Sequence, residues 1–600
     1  MSPALAIRAL TAALLLGATA LAVAAEPPAR PAAEPVTEHG YLTVRDGAQL
    51  QYTLTRPAGT RRVPALLNFA GYDSGSNVAS SAPPLIDDMV SEGFAVIGVN
   101  VRGSGCSSGT FDVFEQRWAE DGYDVVEWVA RQRWSDGAVG MFGGSFPGIT
   151  QLLVAAARPP HLRAIAPLSI LGDVYRDIGF PGGIPNVVFP NAWYGLQNRS
   201  AAANVPRAVE RGDQRCGQHW AGSTAQNPPH AVPTVFVEHR YDDAWMRTHA
   251  PGAGLGRITV PALVFTQWQD EQVGGRVSLA LGALKPDRTW VVASNGNHAW
   301  GICARCVAMQ KQFFRWALKG QGAGWRHVPH FQVWEESTKL LRFPSADPVG
   351  DRGWVVTSRT WPPRVEPLAF SLASAGRLLP GREAGTGSSS YAYPGPSASR
   401  GNPGADNANA PTGDLWETST APTGHGLVFT SAPFDRDRVL FQAAAELWLS
   451  STATDTDLQV TLTEVRPDGQ ETFIQRGWLR ASHRREDPRR TTVLRPFHTH
   501  READVQALQP LVPALARVEV MPFSHPIRRG SALRLIVDAP TGLTGFWGFD
   551  YLRVPAVNTV LHDRGHRSRL LVGVLPGVVA RGPLPPCGSL QNQPCRVAAP

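Results

Sequence analysis

A buried strand that runs directly into a Gly-Gly-Ser turn, and from there into a helix, constrains the fold of this chain more than any other feature. Residues 139–142 read Val-Gly-Met-Phe, as expected for a strand covered on both faces, and Gly143, Gly144 and Ser145 follow at once. A helical pattern begins at Ile149. A serine on such a turn projects its hydroxyl from the end of a sheet, where it can act as a nucleophile.

The spacing of the glycines around Ser145 differs by one position from the usual nucleophile turn. That turn has the form Gly-x-Ser-x-Gly, whereas Gly148 lies three residues after Ser145. The motif alone therefore leaves two interpretations open, a catalytic nucleophile or an ordinary serine at a strand-to-helix junction.

Strands and helices alternate over residues 39–330, which indicates a parallel sheet covered by helices. Asp121 is expected to cap one helix, and Gly320 to end another. We predict an α/β fold for this region, specifically an α/β-hydrolase domain. The predicted strands lie at residues 64–69, 94–100, 139–142, 164–168, 261–266 and 289–293, and the predicted helices include residues 149–157 and 303–319.

Two regions depart from this alternation. Residues 172–250 are rich in Pro, Gly, Asn and aromatic residues, and we interpret them as a cap inserted over the sheet. From residue 331 to residue 600 short strands with two-residue alternation predict a β-sandwich domain, in which residues 371–415 are mostly loop.

A serine nucleophile needs a histidine base and an acid that orients the histidine. In the α/β-hydrolase fold these follow the serine in the order acid, then histidine, each after a strand. Asp270 follows the strand at 261–266, and His298 follows the strand at 289–293. Both would lie at the same sheet edge as Ser145. Glu271, next to Asp270, could supply the acid instead.

The oxyanion of an acyl-transfer intermediate needs two hydrogen-bond donors. The backbone N–H of Phe146, directly after the nucleophile, is the first candidate. The second should come from the loop after the strand at 64–69, where Tyr72 could offer its phenol O–H. From the residues alone, Tyr72 could equally be a packing residue.

Length and charge exclude several classes of protein. With 600 residues, the chain is too long for one hydrophobic core. Its formal net charge of +7 is a small surplus for this length, and the densest arginine run (484, 485, 489, 490) contains Glu486 and Asp487. We therefore expect a solvated loop there and no nucleic-acid partner.

The N-terminus has the pattern of a secretory signal peptide. Arg8 precedes an apolar run over residues 9–22, and Ala22-Val23-Ala24 matches a signal-peptidase site. We predict a signal peptide over residues 1–24, a Pro/Ala-rich tether over residues 25–38, and a mature protein without a membrane span. The protein is therefore expected to be exported, either to the periplasm or as a secreted protein.

Export to an oxidising compartment would allow the six cysteines to form disulfides. A local bridge between Cys587 and Cys595 is plausible. Cys303 and Cys306 could form a metal half-site, a redox pair or a structural disulfide, although no second C-x-x-C motif completes a zinc site. We expect no metal.

Motifs in a fixed order along the chain resemble those of a known family. They are Val101-Arg-Gly-Ser-Gly105, Asp121-Gly-Tyr-Asp124, Trp134-Ser-Asp-Gly137, Val139-Gly-Met-Phe-Gly-Gly-Ser-Phe-Pro-Gly148, Asp173-Val-Tyr-Arg-Asp177, Thr456-Asp457-Leu458, Val465-Arg-Pro-Asp-Gly469, Gly477-Trp-Leu-Arg480 and Asn558-Thr-Val-Leu-His-Asp563. Together they resemble the X-Pro dipeptidyl-peptidase-like, or cocaine esterase-like, serine hydrolases. The resemblance covers almost all of the chain after the predicted signal peptide.

The resemblance implies a fold, a site and an activity. The fold would be an α/β-hydrolase domain with an inserted helical cap, followed by a C-terminal jelly-roll. The late glycine is explained, because the family turn has the form G-x-S-Y-x-G. The triad would be Ser145, Asp270 and His298, and Tyr72 would supply the oxyanion donor.

The chain departs from the family pattern around the site. Phe146 replaces a tyrosine, and Pro147 stands where α-amino-acid ester hydrolases have an acidic residue that holds the substrate amine. The acid loop reads Gln-Trp-Gln-Asp instead of Gly-Trp-Tyr-Asp, and the histidine loop reads Asn-Gly-Asn-His instead of Gly-Pro-Trp-x-His. The two loops are expected to line the acyl pocket, so the substrates of known members do not transfer directly to this chain, and Pro147 argues against an α-amino-ester substrate.

The sequence therefore predicts a serine hydrolase that acts on a small ester or amide through an acyl-enzyme and without a cofactor. A carboxylic ester is the first expectation. An X-Pro dipeptide or another amide is the second, since the same groups would cleave it. A protein that binds a ligand without turning it over is the alternative from another class.

Overall fold

Ten strands from the first part of the chain form one sheet, with the strand that leads into Ser145 near its centre. The structure is a computed structural model, and it describes residues 34–59, 61–72, 75, 83–203, 205–226, 232–298, 303–338, 353–381, 387–394, 424–540 and 547–598. The strands of this sheet are β1 Val36–Thr43, β2 Gln49–Arg56, β3 Val63–Ala70, β4 Ala95–Asn100, β5 Ser135–Gly144, β6 Leu162–Leu168, β7 Ala262–Gln267, β8 Thr289–Ser294, β9 Phe331–Glu335 and β10 Trp354–Ser358.

The sheet runs in the order β1-β2-β4-β3-β5-β6-β7-β8-β9-β10. Neighbours from β4 to β9 are parallel, whereas β1, β2 and β10 pair antiparallel at the edges. Every residue of β3, β4, β7 and β8 is buried, which is why these strands are continuous apolar runs. The carboxyl ends of β5, β7 and β8 therefore open onto one edge of the sheet.

Helices cover both faces of this sheet, and within the described residues eight helices precede β7 and one follows β8. They are α1 Pro83–Ser91, α2 Arg117–Ala130, α3 Phe146–Ala157, α4 Val188–Ala203, α5 Val205–Glu210, α6 Gln214–Gln226, α7 Val232–Glu238, α8 Ala244–Thr248 and α9 Ala304–Lys319. Successive residues of β3 show the two faces, because Leu67 packs in one apolar core with α2 and α3, whereas Leu66 packs in another with α9.

The chain between β6 and β7 forms the inserted helical cap. A π-helical turn at Val174–Gly179 opens it, and α4 to α8 follow before the chain returns to β7. A disulfide between Cys106, just beyond β4, and Cys216 of α6 ties this cap to the sheet domain.

After β10, the described residues contain thirteen strands that form the C-terminal β domain, and among them the strand pairs are antiparallel except for one pair of short strands. They are β11 Glu366–Ala373, β12 Arg377–Pro380, β13 Ser388–Tyr393, β14 Gly426–Ser431, β15 Arg438–Ser451, β16 Asp457–Val465, β17 Gln470–Arg480, β18 Ala514–Glu519, β19 Ser524–Ile527, β20 Ala532–Asp538, β21 Ala556–Leu561, β22 Arg569–Val574 and β23 Cys595–Val597. Alternate residues such as Leu458, Val460 and Leu462 point into its core. The predicted fold class, an α/β-hydrolase domain with a helical cap and a jelly-roll, is confirmed.

Several expected boundaries differ from the structure because strand pairing extends each sheet beyond the segments that have a clear local pattern. The tether was expected to reach residue 38, but β1 begins at Val36 and pairs with β2. The first sheet extends to Ser358 rather than to residue 330, since β10 pairs with β9. The expected loop at 371–415 contains β12 and β13, of which β13 pairs with β21. The predicted signal peptide lies outside the described residues, as do residues 395–415.

Asp121 does not cap a helix, so that expectation was wrong. The helix α2 begins four residues earlier, at Arg117, and Asp121 lies buried inside it. Its carboxylate accepts a hydrogen bond of 2.6 Å from Nε of Arg102 and pairs with that buried guanidinium. A buried arginine needs a negatively charged partner. The pairing with Arg102 therefore explains why the Asp121 carboxylate lies inside the helix.

The remaining cysteines are also paired. Cys587 is bonded to Cys595, which confirms the expected local bridge, and Cys303 is bonded to Cys306 at the start of α9, which selects the disulfide among the three interpretations. Across the part of the chain that the structure describes, no helix has the length and apolar character needed to cross a membrane.

Candidate active site

Ser145 lies between the end of β5 and the start of α3 in a conformation that few residues adopt. Its φ is 62° and its ψ is −128°, and its backbone N–H donates to the carbonyl of Leu168 at 2.9 Å. A non-glycine residue at positive φ is held there only by its surroundings, and such strain is concentrated at functional sites. The turn holds the Ser145 side chain at the carboxyl edge of the sheet.

Two glycines are required by this turn. Gly143 has a φ of 132°, and a Cβ on Gly148 would lie 2.7 Å from the carbonyl oxygen of Leu168. The second glycine therefore allows α3 to approach β6 closely, one position later than in the usual motif. This explains the spacing Gly-Gly-Ser-Phe-Pro-Gly.

Tyr72 lies directly beside the candidate nucleophile, which favours a site residue over a packing residue. Its Oη is 3.3 Å from Oγ of Ser145. The indole Nε1 of Trp193, in α4 of the cap, donates to the same Oη at 2.6 Å. Because Trp193 occupies a lone pair of this oxygen, the phenolic proton of Tyr72 is left to point elsewhere, including toward Ser145.

The phenol of Tyr72 is buried, and its surroundings keep it protonated. Burial raises the pKa of Tyr72, and the hydrogen bonds from Ser145, Trp193 and the Phe146 backbone oppose this rise without cancelling it. The Phe146 backbone is thus directed to the same oxygen, so the two expected oxyanion donors lie together. A protonated phenol is the form that can donate.

Asp270 and His298 form a hydrogen-bonded pair at the ends of β7 and β8. Nδ1 of His298 lies 2.9 Å and 3.0 Å from the two carboxylate oxygens of Asp270. The carboxylate also accepts from the backbone N–H groups of Gln272 and Val273, at 2.9 Å and 3.0 Å. These bonds fix the acid, and the acid fixes the orientation of the imidazole.

The other ring nitrogen of His298 faces no partner. Within the described residues, Nε2 is buried and makes no hydrogen bond, including none to Ser145. The structure therefore brings together Asp270 with His298 and Tyr72 with Ser145, but it shows no bond between the serine and the histidine. Catalytic hydrogen bonds are often long before substrate binds.

The charge around His298 favours its protonated form. Burial lowers the pKa of His298, but the charge and hydrogen bond of Asp270, together with the charge of Glu271, outweigh this, so the pKa is raised above its usual value of about 6.5. The imidazolium formed during proton transfer is stabilised for the same reason.

Glu271, the alternative acid, contacts the backbone of His298 and not its ring. Its Oε2 accepts from the N–H of His298 at 3.0 Å. On the other side, Oγ of Ser169 donates to the carbonyl of His298 at 2.6 Å. Burial, and then the charge of Asp270, raise the pKa of Glu271. The geometry thus assigns the ring-orienting position to Asp270.

Ser145 opens onto a pocket beneath the cap. Its walls come from the sheet domain (Phe146, Leu171), the π-helical turn (Ile178) and the cap helices (Phe236, Trp245). Among the described residues that line it, none carries a charge, and Ser145 alone contributes a hydroxyl. Such a pocket would bind an uncharged, apolar group next to the nucleophile.

Sequence reasoning missed two residues of this site. Trp193 falls only under the general observation that residues 172–250 are rich in aromatic residues, and nothing in the sequence indicates Ser169. Neither has a local motif, because each acts through a partner more than 100 residues away. The aromatic richness of residues 172–250 was the available signal for the first of them.

Two family models match this chain. The model of the X-Pro dipeptidyl-peptidase (S15 family) matches residues 46–300, and that of the X-Pro dipeptidyl-peptidase C-terminal non-catalytic domain matches residues 314–544. The first range contains Ser145, Asp270 and His298, and the second lies mainly in the β domain.

Relatives of similar length extend this finding. Cocaine esterase from a Rhodococcus species is 26% identical over 505 residues, which cover 75% of this chain and 83% of that protein. A Mycobacterium bovis protein, whose name proposes a serine esterase, is 26% identical over 593 residues, covering 83% and 89%. The crystal structure of a CocE/NonD family hydrolase from Staphylococcus aureus superimposes with a TM-score of 0.72 at 22% identity, covering 90% and 94%, and so supports the fold.

Proposed function

The chain belongs to the family of X-Pro dipeptidyl-peptidase-like and CocE/NonD hydrolases, and from this premise we propose that it is an exported esterase. As a member of this family it is a serine hydrolase. The proposed reaction is the cleavage of a carboxylic ester by Ser145, with His298 as the base and Asp270 as the acid that orients it.

In the proposed mechanism, Nε2 of His298 takes the proton of Ser145 while Oγ bonds to the ester carbonyl carbon. The protonated His298 then gives this proton to the leaving alcohol as the C–O bond of the ester breaks. Water, deprotonated by the same nitrogen, attacks the acyl-enzyme and releases the acid. Two observations support these roles. Within the described residues, Nε2 of His298 makes no hydrogen bond, and Nδ1 of His298 is hydrogen-bonded to Asp270.

The negative oxygen of each tetrahedral intermediate would be held by Tyr72 and by the N–H of Phe146. The 3.3 Å distance between Oη of Tyr72 and Oγ of Ser145 supports this, since a carbonyl carbon bonded to Oγ would place its oxygen near the phenol. Trp193 keeps the phenol in place through its own hydrogen bond.

The apolar pocket at Ser145 is the observation that carries the choice of an ester with an apolar acyl group. An X-Pro dipeptide or an α-amino ester would bring a charged amine close to the nucleophile. An unpaired ammonium in an apolar site is strongly disfavoured, and the described residues of this pocket supply no carboxylate. Peptidase activity on a free N-terminus is therefore the second candidate.

Export is supported by the signal-peptide pattern and by the pairing of all six cysteines. Cys106 and Cys216, 110 residues apart, are bonded to each other, which is typical of a protein that folds in an oxidising compartment. We propose a mature protein that starts near Ala25 and acts in the periplasm or the medium.

Hydrolysis of a small substrate panel tests the proposed function. The panel contains p-nitrophenyl butyrate, a benzoyl ester and Ala-Pro-p-nitroanilide, each with the full protein and with Ser145→Ala. We expect turnover of the esters that disappears in the variant. Turnover confined to the anilide would contradict the ester proposal, and turnover of no substrate would favour a binding protein.

A further inference from the structure

The last turn of the chain is a loop closed by the Cys587–Cys595 disulfide, and it reaches the rear of the active site. After this loop, β23 pairs with β17 of the β domain. The match to the C-terminal family model ends at residue 544, before this loop. Three buried carboxamide residues, Gln591, Asn592 and Gln593, occupy its centre.

Asn592 contacts the loop that carries the catalytic acid. Its Nδ2 donates to the backbone carbonyl of Gln269 and lies 3.5 Å from Oε2 of Glu271. These two residues flank Asp270 in the chain. Asn592 itself has a φ of 55°, which asparagine tolerates better than most residues and which directs its side chain inward.

Glu271 links Asn592 to the catalytic histidine. The same oxygen, Oε2, accepts the backbone N–H of His298 at 3.0 Å. Asn592, Glu271 and His298 therefore form one hydrogen-bonded chain behind the imidazole. Because Ser169 holds the carbonyl of His298, the backbone of this residue is fixed on both sides.

A second contact holds the start of the histidine loop. Nδ2 of Asn295 donates to the carbonyl of Gln591 at 3.2 Å and to that of Ser337 at 2.8 Å. Gln591 in turn donates its backbone N–H to Ser337 at 2.8 Å. Asn295 and Gln269 are two of the positions at which this chain departs from the family pattern, and both contact this loop.

The neighbouring residue, Gln593, shows where the contact with the active site ends. Its Nε2 donates to the carbonyl of Phe473 at 3.1 Å and lies 3.1 Å from Nδ1 of His525. Both partners belong to the β domain. Asn592 and Gln593 are equally buried, at 2% exposure, but of the two it is Asn592 that contacts the acid loop.

We propose that the disulfide-closed loop at residues 587–595 positions the catalytic acid and histidine, with Asn592 as the residue that does so through Glu271. The proposal rests on the esterase function proposed above. Through Asn592, the β domain would help to position the catalytic residues. Asn592 touches neither substrate nor reacting atoms, so it is a positioning residue.

The size of the effect follows from geometry. Nε2 of His298 must lie within about 0.5 Å of its productive position, and a displacement of about 1 Å can cost about 10²-fold in rate. Loss of the Asn592 carboxamide would release the Gln269 carbonyl and one partner of Glu271, and so allow such a shift. Asn592 is not among the described residues that line the acyl pocket, so substrate binding should change little.

The test compares Asn592→Gly with Gln593→Gly in the full chain. Glycine accepts the positive φ of residue 592 without strain, and both variants remove one equally buried carboxamide from the same loop. The readouts are kcat and KM for p-nitrophenyl butyrate, the rate constant for labelling by a fluorophosphonate, and hydrogen–deuterium exchange of the peptides that contain residues 268–272 and 294–298.

Asn592→Gly is expected to lower kcat and the labelling rate about 10- to 100-fold, to leave KM within about twofold, and to raise exchange in both peptides. Gln593→Gly should leave all of these near wild type, although both variants lower the melting temperature. A labelling rate for Asn592→Gly within threefold of wild type, or equal losses in the two variants, would overturn the proposal. If wild type itself were unlabelled, the proposed function would fail, and exchange alone would then decide whether Asn592 orders the two loops.

Discussion

The two sides of the catalytic residues are built from opposite chemistry. In front of Ser145, the pocket under the cap is lined by apolar side chains and glycine. Behind Asp270 and His298, buried amides and carboxylates such as Gln269, Glu271 and Asn592 form directional hydrogen bonds. The two sides are therefore suited to different tasks.

The difference follows from what each side must control. Apolar contact is proportional to buried area and has little preference for direction, so the front can accept a range of acyl groups. Hydrogen bonds require distance and angle, so the rear can hold an imidazole to a fraction of an ångström. Tyr72 and Trp193 are the exception in front, because their hydroxyl and indole form a polar contact at the nucleophile.

The largest expected effect distinguishes the roles of Asp270 and Glu271, the two carboxylates behind the imidazole of His298. Asp270→Asn should lower kcat about 10⁴-fold, because the amide cannot hold the imidazole in the required tautomer. Glu271→Gln keeps a side-chain oxygen that can accept the N–H of His298. Its kcat should therefore fall by no more than about tenfold. Steady-state kinetics with p-nitrophenyl butyrate measures both. A greater loss in Glu271→Gln would make Glu271 the catalytic acid.

The next largest expected effect concerns Tyr72 and Trp193, which form the polar contact beside Ser145. Tyr72→Phe removes one oxyanion donor and should lower kcat about 10²- to 10³-fold with little change in KM. Trp193→Phe retains the phenol and should cause a smaller loss. If Tyr72→Phe left kcat unchanged while KM rose, Tyr72 would be part of the apolar wall and not a donor.

The front side itself is tested by a series of acyl groups. Each added methylene from p-nitrophenyl acetate to the butyrate should raise kcat/KM about fourfold, because burying one methylene is worth about 0.8 kcal/mol. The hemisuccinate ester matches the butyrate in chain length but carries a carboxylate. It should be about 100-fold poorer, since the pocket offers that charge no partner. Equal rates for these two esters would contradict an apolar pocket.

The smallest expected effect is a shift in pH dependence. His298 must be neutral to accept the proton of Ser145, so kcat/KM should rise with pH through the pKa of His298. That pKa is raised by Asp270 and Glu271, against the lowering by burial, so the midpoint should lie above pH 6.5. Glu271→Gln removes one of these charges and should move the midpoint to lower pH. A midpoint unchanged by this substitution would show that Glu271 carries no charge in the active enzyme.

Local sequence patterns predicted the parts of this site that depend on local structure. The turn at Ser145 follows from one strand, two glycines and one helix, all within about ten residues. Asp270 and His298 follow strands β7 and β8, so the order of strands placed them at the same edge. The choice between Asp270 and Glu271 stayed open. The sequence does not show which of two adjacent carboxylates contacts the imidazole of His298.

Long-range contacts could not be predicted in this way. Trp193 reaches Tyr72 over 121 positions, and Asn592 reaches Gln269 over 323. Asp121 was expected at a helix start because Asp favours that position, but the need of Arg102 for a buried partner placed it inside α2. In each case, the deciding interaction comes from a residue that no local pattern identifies.

Labelling of the full protein with a fluorophosphonate, followed by mapping of the modified peptide, tests the central claim most directly. We expect one adduct, on Ser145, that is absent in Ser145→Ala and forms much more slowly in His298→Ala. An adduct on another residue, or no adduct on a folded protein, would contradict the assignment of Ser145 as a nucleophile activated by His298.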